Sequence, residues 1–427
     1  MSNTNRNNEG TIDNASLVFF NSLRVIAMIC VIIYHAVASY STIVPYWQVQ
    51  DPTKDIFSDF IRYFFDVFIM AIFFFIAGYF GIKSLQKYPP KEFLKRKFRT
   101  LMSYWILVIL VILPFLCWQV YEYDLIYSNY LEFWLLYLSS IGTITIAPHG
   151  SSAVPGPVYH MHFWFISLLF YFFIILMIIY YLVEKKLGNS GKENITPITE
   201  KSMFKTIILF TILISIGTFV MLLFFADFSW FNMNLIIQFQ PTDIITYIGF
   251  FALGAYASAK KWFTNNTLPG RWEYWGIVTI VLTVLFFLVG GNIFTNPNSQ
   301  LLNPGILFAF SFIRSFLCLS VIFFLLSLTM KYMNKPSFFN TELAKHSYNI
   351  YLLHLFIVIF FQTALLNWVG GPNIVKIIIT TIATLFISYA ISKYVFKKAP
   401  KITVFVIIIL FYVLMLLASV FPILNEI

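Results

Sequence analysis

Charged residues are scarce in this chain, and their scarcity excludes a water-soluble globular protein. Asp, Glu, Lys and Arg make up 11% of its 427 residues, whereas an ordinary soluble domain carries about 25%. Hydrophobic residues reach 59%, and the mean hydropathy is +0.81. The composition therefore predicts a multi-pass membrane protein in which the spans and their connections use nearly the whole chain.

Cysteine is also rare, which argues against a disulfide framework. The three cysteines, Cys30, Cys117 and Cys318, all lie in apolar runs, and we interpret them as buried thiols. Residues 1–16 are polar and lack the basic start and cleavage site of a signal peptide, so we expect a short polar tail there. The formal net charge of +10 does not indicate a nucleic-acid partner, because the basic residues concentrate in particular loops.

The apolar runs predict an all-α bundle of ten or eleven transmembrane helices, because a helix needs about 20 apolar residues to cross a bilayer. These runs lie at 17–38, 60–82, 101–120, 163–183, 204–225, 244–259, 273–292, 304–330, 347–368, 373–396 and 402–422. The longest connection contains Tyr130–Ser140, an apolar segment too short to span. We expect an interfacial or re-entrant helix there.

Loop charge predicts the orientation of the chain. Residues 83–99 contain seven basic residues and one acid, whereas residues 119–162 contain three acids and no Lys or Arg. Basic loops alternate with acidic or neutral ones along the predicted spans. Because basic loops stay on the cytoplasmic side, we expect a cytoplasmic N-terminus. The expected location is the bacterial cytoplasmic membrane, where lipids surround the chain.

The first span carries two polar side chains that are unusual in hydrocarbon. Arg24 and His35 are eleven residues apart, so they share one helix face and are separated by roughly 16 Å along the axis. An arginine at that depth costs about 3 kcal/mol and is usually functional, and an imidazole takes up a proton near neutral pH. One interpretation is an arginine snorkelling to the surface and a histidine at the interface. The interpretation that we favour is a functional pair lining one cavity.

Other polar residues near the predicted spans allow both structural and functional interpretations. Gly78 is expected to admit the backbone of another helix. Asp66 either orients a histidine or is exposed to solvent. The basic residues before the third span either anchor the chain to anionic lipid or bind the phosphates of a nucleotide-bearing donor. The residues that would bind these phosphates are Lys95, Arg96 and Arg99.

Histidines and one further arginine complete the set of candidates. His149, His160 and His162 lie in the later part of the longest connection without acidic or cysteine partners at ligand spacing, so an acceptor-binding loop is favoured over a metal site. On the ninth predicted span, one stripe contains Ser347, Tyr351 and His354. Arg314, midway along the eighth, must face protein or water rather than lipid.

Several segments together resemble the membrane acyltransferase type-3 family, which includes enzymes that O-acetylate or O-succinylate bacterial surface glycans. The segments are LRVIAMICVIIYH, FFFIAGYF, KRKFR before a helix containing SYW, HFWFISLLFY and SYNIYLLH. HFWFI is similar to the corresponding segment of the glucan-modifying C-type succinyltransferase branch. The sequence departs from the family pattern at Ala77, where serine is usual, and at Lys397 and Lys398, where an acidic residue is often found. The run at 402–422 is interpreted as an added span following a domain at 17–396.

The resemblance implies an O-acyltransferase that uses acetyl-CoA or succinyl-CoA as co-substrate, with no permanently bound cofactor or metal. The acceptor would be a glycan hydroxyl outside the cell, and the expected partners are glycan-synthesis proteins or further copies of the chain. By the same resemblance, His35 corresponds to the essential histidine and Arg24 to its partner. Arg96 and Arg99 match the cytoplasmic basic pair, with Lys97 as a further cation. The remaining motifs contain His162, Trp164, Ser347, Tyr351 and His354. The alternative is a multi-span transporter of a glycan or small molecule, although no internal repeat is evident.

Overall fold

The computed structural model confirms the all-α membrane bundle. It describes residues 4–44, 47–114, 130–147, 160–187, 199–263, 268, 270–294, 296 and 298–396. In chain order the helices are α1 (Thr4–Ala36), α2 (Ile56–Lys87), α3 (Pro90–Lys97), α4 (Ser103–Leu107), α5 (Tyr130–Ser139), α6 (Trp164–Leu187), α7 (Glu200–Phe224), α8 (Pro241–Ala259), α9 (Trp272–Phe294), α10 (Pro304–Tyr332), α11 (Ala344–Leu365) and α12 (Asn373–Tyr394). Eight of these within the described residues are long and apolar enough to cross a membrane: α1, α2, α6, α7 and α9–α12.

The remaining predicted spans have different outcomes. The run at 101–120 is described only to residue 114. Its described part contains α4, which lies between two π-helical turns, Phe98–Met102 and Val108–Ile112. The run at 244–259 forms α8, which is not one of the eight candidate spans. The run at 402–422 lies outside the described residues. Helix α1 begins at Thr4, inside the segment predicted as a polar tail, and its apolar part begins at Val18.

A small antiparallel sheet lies between the helices, and the sequence analysis missed it. Its strands are β1 (Ile144–Ala147), β2 (Trp230–Met233) and β3 (Ile237–Phe239), in the order β1-β2-β3. Ala147 pairs with Trp230, and Phe231 pairs with Phe239. The ring of Trp230 lies 5.7 Å from that of Trp164 at the start of α6. The sheet therefore brings an aromatic side chain to the end of a membrane helix.

Helices α2 and α8 approach each other through two glycines. A Cβ atom on Gly78 would lie 2.0 Å from the carbonyl oxygen of Phe251, and one on Gly254 would lie 2.0 Å from that of Phe75. This confirms the close backbone approach predicted at Gly78. In lipid, tight van der Waals packing of this kind replaces the hydrophobic effect as a source of helix association.

Gly254→Ala should therefore lower the thermal unfolding temperature of the purified protein. The added methyl group meets a backbone carbonyl that cannot rotate away, and overpacking of this kind costs about 1–3 kcal/mol or more. Gly291→Ala in α9 is the matched control, because a Cβ there has no atom within 4 Å and alanine favours a helix by about 1 kcal/mol. Equal unfolding temperatures for Gly254→Ala and the wild type would contradict this packing.

Candidate active site

A cavity of about 510 Å³ lies between α1, α2, α3, α6 and α11. Its lining includes Arg24, Arg96, Lys97 and Lys345, and no Asp or Glu among the described residues. Apolar side chains from α2 and α6 line much of the remainder. We name it the basic cavity. An anionic group with an apolar extension would be compatible with this lining.

The residues of α3 that line the basic cavity are only partly those that the sequence predicted. Arg96 lines it and also pairs with Glu92, with 2.8 Å between Nε and Oε1. Lys95 and Arg99 are exposed and do not line it, because the cavity-facing side of this segment presents residues 96, 97 and 100. Lys97, which the predicted trio omitted, lies with its Nζ 4.0 Å from the ring centroid of Phe173. Burial lowers the pKa of Lys97 to about 8.

A second cavity, of about 130 Å³, lies where α1, α2, α6 and α8 meet the connection between α1 and α2. Its lining includes His35, Trp47, Asp66, His162, Trp164 and Tyr247. We name it the aromatic cavity. It brings together three predicted acceptor-side residues, Asp66, His162 and Trp164, with the predicted catalytic histidine.

His35 is held by contacts with the connection and with α11. Its ring stacks on Trp47, with centroids 5.4 Å apart and planes 19° apart. Trp47 Nε1 donates to Gln362 Oε1 at 2.9 Å, and Gln362 Nε2 donates to the carbonyl oxygens of His35 and Ala36 at 3.0 Å each. Gln362 thus fixes both the tryptophan and the backbone that carries the histidine. His35 Nδ1 is buried and has no hydrogen-bond partner among the described residues.

The two cavities adjoin at a cluster of rings. The ring centroid of His354 lies 5.2 Å from that of His35 and 5.0 Å from that of His162. Tyr351 lines both cavities and donates a hydrogen bond from its hydroxyl to the carbonyl oxygen of His162.

Arg24 lines the basic cavity and His35 lines the aromatic cavity. The expectation that they share one cavity is therefore corrected to two adjoining cavities. The rings of Tyr351 and the histidines pack between them and form the division. Ser347 and His354 lie on the basic side, as part of one stripe.

Asp66 and Arg314 belong to one buried ionic cluster. Arg314 pairs with Asp227 at 2.9 Å, with Asp243 at 2.5 Å and with Asp66 at 3.5 Å. This confirms that Arg314 faces protein. Asp66 also accepts a hydrogen bond from Tyr34 at 3.1 Å. Its described partners are therefore an arginine and a tyrosine rather than the histidine that the sequence analysis considered.

His160 lines neither of the two cavities. Its ring is buried and packs edge-on against Trp105, with centroids 5.6 Å apart. Burial lowers the pKa of His160 to about 3, so the ring is neutral at ordinary pH. No group of three His, Cys, Asp or Glu side chains in the described part of the chain is arranged to hold a metal ion. His149 lies outside the described residues.

A buried ion pair anchors the connection that carries Trp47. Lys376 Nζ of α12 lies 2.8 Å from Asp51 Oδ2, and both side chains are buried. Burial alone would raise the pKa of Asp51, but hydrogen bonds from Lys376 and Thr53 together outweigh it and lower the pKa below its ordinary value. Lys376 and Gln362 were not among the predicted site residues. The available signal was a polar side chain inside an apolar span, which usually has a buried partner.

A match to a protein-family model shows the family of this chain. Residues 17–421 match the family model of the type-3 acyltransferases, described as an acyltransferase domain. The chain belongs to this family. The match includes residues 402–421 of the last apolar run. Searches of the curated proteins and of the solved structures found no match. The acyltransferase domain and the eight apolar helices together indicate an integral membrane acyltransferase.

Proposed function

We propose that this type-3 acyltransferase moves an acetyl or succinyl group from acyl-CoA, bound in the basic cavity, to a glycan hydroxyl bound in the aromatic cavity. The observation that carries the proposal is the meeting of the two cavities at neighbouring imidazoles. His35 lines one cavity and His354 the other, with ring centroids 5.2 Å apart. A thioester and a hydroxyl that arrive from opposite sides would therefore reach the same pair of rings.

The basic cavity has the charge that a coenzyme A ester requires. Phosphate groups are bound by Arg and Lys through charge-assisted hydrogen bonds, and Arg96, Lys97 and Lys345 line this cavity. Arg96 and Lys345 form exposed ion pairs with Glu92 and Glu342, which a donor phosphate would replace. Arg24 forms no ion pair with a carboxylate of the described residues. Its guanidinium is therefore free to bind a donor carbonyl or the terminal carboxylate of a succinyl group.

The aromatic cavity has the lining that a sugar requires. The C–H faces of a sugar ring pack on aromatic side chains, and Trp47, Trp164 and Tyr247 offer such faces. Asp66, with 14% of its side chain exposed, offers a carboxylate to a sugar hydroxyl. His35, held by Trp47 and Gln362, acts as the general base that removes the proton from the attacking hydroxyl. The loop charges favour the basic cavity on the cytoplasmic side and the acceptor outside.

Acyl transfer by the purified protein tests this function. The protein in lipid nanodiscs is incubated with acetyl-CoA or succinyl-CoA and a panel of glucans and other surface glycans, and the products are weighed by mass spectrometry. We expect one glycan to gain the mass of an acetyl or a succinyl group, which also identifies the donor. Failure to acylate any hydroxyl acceptor with either donor would contradict the proposal.

The lowered pKa of Lys97 predicts how kcat/KM for acyl-CoA depends on pH. Below about pH 8 its ammonium group is charged and attracts the donor phosphates, and above that pH the charge is lost. We therefore expect kcat/KM for acyl-CoA to fall about tenfold as the pH rises through this range, the cost of one charge-assisted hydrogen bond. Lys97→Arg should abolish the fall because arginine stays charged.

Lys91→Gln is the control for this pH profile, because Lys91 lies on the same helix, is exposed and does not line the basic cavity. It should retain the profile of the wild type. The same alkaline fall in Lys97→Arg as in the wild type would exclude Lys97 as its origin.

A further inference from the structure

One ring nitrogen of His354 is hydrogen-bonded, and the other has no partner among the described residues. Its Nδ1 lies 2.6 Å from the carbonyl oxygen of Tyr351, one turn earlier on α11. A carbonyl oxygen only accepts hydrogen bonds, so in the neutral ring Nδ1 carries the proton and Nε2 carries the lone pair. Nε2 is buried without a hydrogen-bond partner among the described residues. His354 therefore presents an unused proton acceptor inside the bundle.

The ring of His354 lies where the two cavities adjoin. His354 lines the basic cavity but not the aromatic one, and for His35 the reverse holds. Their ring centroids lie 5.2 Å apart, with planes inclined by 41°. At this separation a proton passes between imidazoles directly after a small rotation, or through one water. The two imidazoles are thus close enough for a proton transfer between the cavities.

Acyl transfer between the two cavities gives such a contact a proton to carry. The acceptor oxygen uses an electron pair to form a C–O bond with the acyl carbonyl carbon, and its proton is released in the aromatic cavity. The C–S bond breaks, and its electron pair remains on the sulfur, which needs a proton in the basic cavity. The overall reaction therefore moves one proton from oxygen to sulfur across the division, with no net gain or loss.

We propose that His354 is a second catalytic residue, which receives the acceptor's proton from His35 at Nε2 and delivers it to the departing thiolate. This inference rests on the proposed function. While Nε2 holds the proton, the Tyr351 carbonyl stabilises the imidazolium through Nδ1–H and keeps the ring in place. The delivery returns both histidines to their neutral forms, so no further reactant is required.

The dependence on the leaving group distinguishes this role from a structural one. His354→Gln and His35→Gln are compared with the wild type using acyl-CoA and the acyl thioester of 4-nitrothiophenol, whose weakly basic thiolate leaves without a proton. We expect His354→Gln to lose about 10²–10³-fold in rate with acyl-CoA but less than about tenfold with the aryl thioester. His35→Gln should lose the same factor with both donors, because the hydroxyl still needs a base.

His346→Gln is the matched control, because His346 lies on α11 outside both cavities, with its Nδ1 bonded to Ser392 at 2.8 Å. It should keep the rates of the wild type with both donors. Each variant is compared with the wild type on the same donor, so weak binding of the aryl thioester cancels. Equal losses of His354→Gln on the two donors would show that His354 does not protonate the thiolate.

Nitrogen NMR of the histidine-labelled protein tests the relay without any turnover. His354, assigned by its loss in His354→Gln, should show a protonated Nδ1 and an unprotonated Nε2. The opposite tautomer overturns the relay whether or not transfer is detected. A wild-type protein that uses neither donor would contradict the proposed function, while the NMR result would still decide whether Nε2 is free to accept a proton.

Discussion

Replacing His35 with glutamine should lower kcat for acyl transfer by about 10²–10⁴-fold, the usual contribution of a positioned general base. Glutamine is close in size to histidine and keeps the contact with Trp47, but it does not take up a proton. Because the proposed site of the donor phosphates is the other cavity, the basic one, KM for acyl-CoA should change little. Initial rates of glycan acylation in nanodiscs measure both parameters.

The fold of His35→Gln should remain intact, since Gln362 bonds the backbone oxygen of residue 35 rather than its ring. An unfolding temperature equal to that of the wild type verifies this. His346→Gln, the same substitution outside both cavities, should retain full activity. Glycan acylation at the normal rate by His35→Gln would remove His35 from the chemistry and direct the search for the base to Asp66 and the neighbouring imidazoles.

The sequence predicted the residues of α1 and α11 that line the cavities better than it predicted those of α3. Arg24 and His35 were found because charged and imidazole side chains are rare in an apolar span. Helical periodicity placed Ser347, Tyr351 and His354 together, and the structure has them on one cavity wall. Periodicity alone did not tell which face of α3 turns inward. That face is set by packing against α6, where Lys97 lies over Phe173, a tertiary contact with no local signal.

The parts of the fold set by local sequence were predicted, whereas those that depend on distant contacts were missed. Eight spans could be located because about 20 apolar residues suffice to mark one. The sheet was missed because its strands have three or four residues and depend on pairing between distant segments, such as Ala147 with Trp230. Gln362 and Lys376 act through partners in the connection after α1. The cytoplasmic N-terminus, inferred from loop charge, stays a prediction.

Arg314→Gln should strongly reduce the yield of folded protein. The guanidinium is 6% exposed and compensates Asp227, Asp243 and Asp66, of which the first two are almost fully buried. Removing one partner of a buried ion pair costs about 3–5 kcal/mol because it leaves an uncompensated charge. That is a large part of the roughly 5–15 kcal/mol by which a folded protein is stable. Size-exclusion chromatography in detergent and thermal unfolding measure the loss.

Neutralising the carboxylates separates the charge effect from a loss of packing. If uncompensated charge causes the defect, adding Asp227→Asn and Asp243→Asn to Arg314→Gln should recover much of the folded yield, because amides bond to one another without a net charge. Asp66 stays unchanged, since it lines the aromatic cavity. Arg271→Gln is the control, because Arg271 is 83% exposed beside Glu273 and such pairs contribute about 0–1 kcal/mol. A triple variant as poorly folded as Arg314→Gln would show that the guanidinium is needed for its packing, whereas recovery would identify compensation of the buried carboxylates as its role.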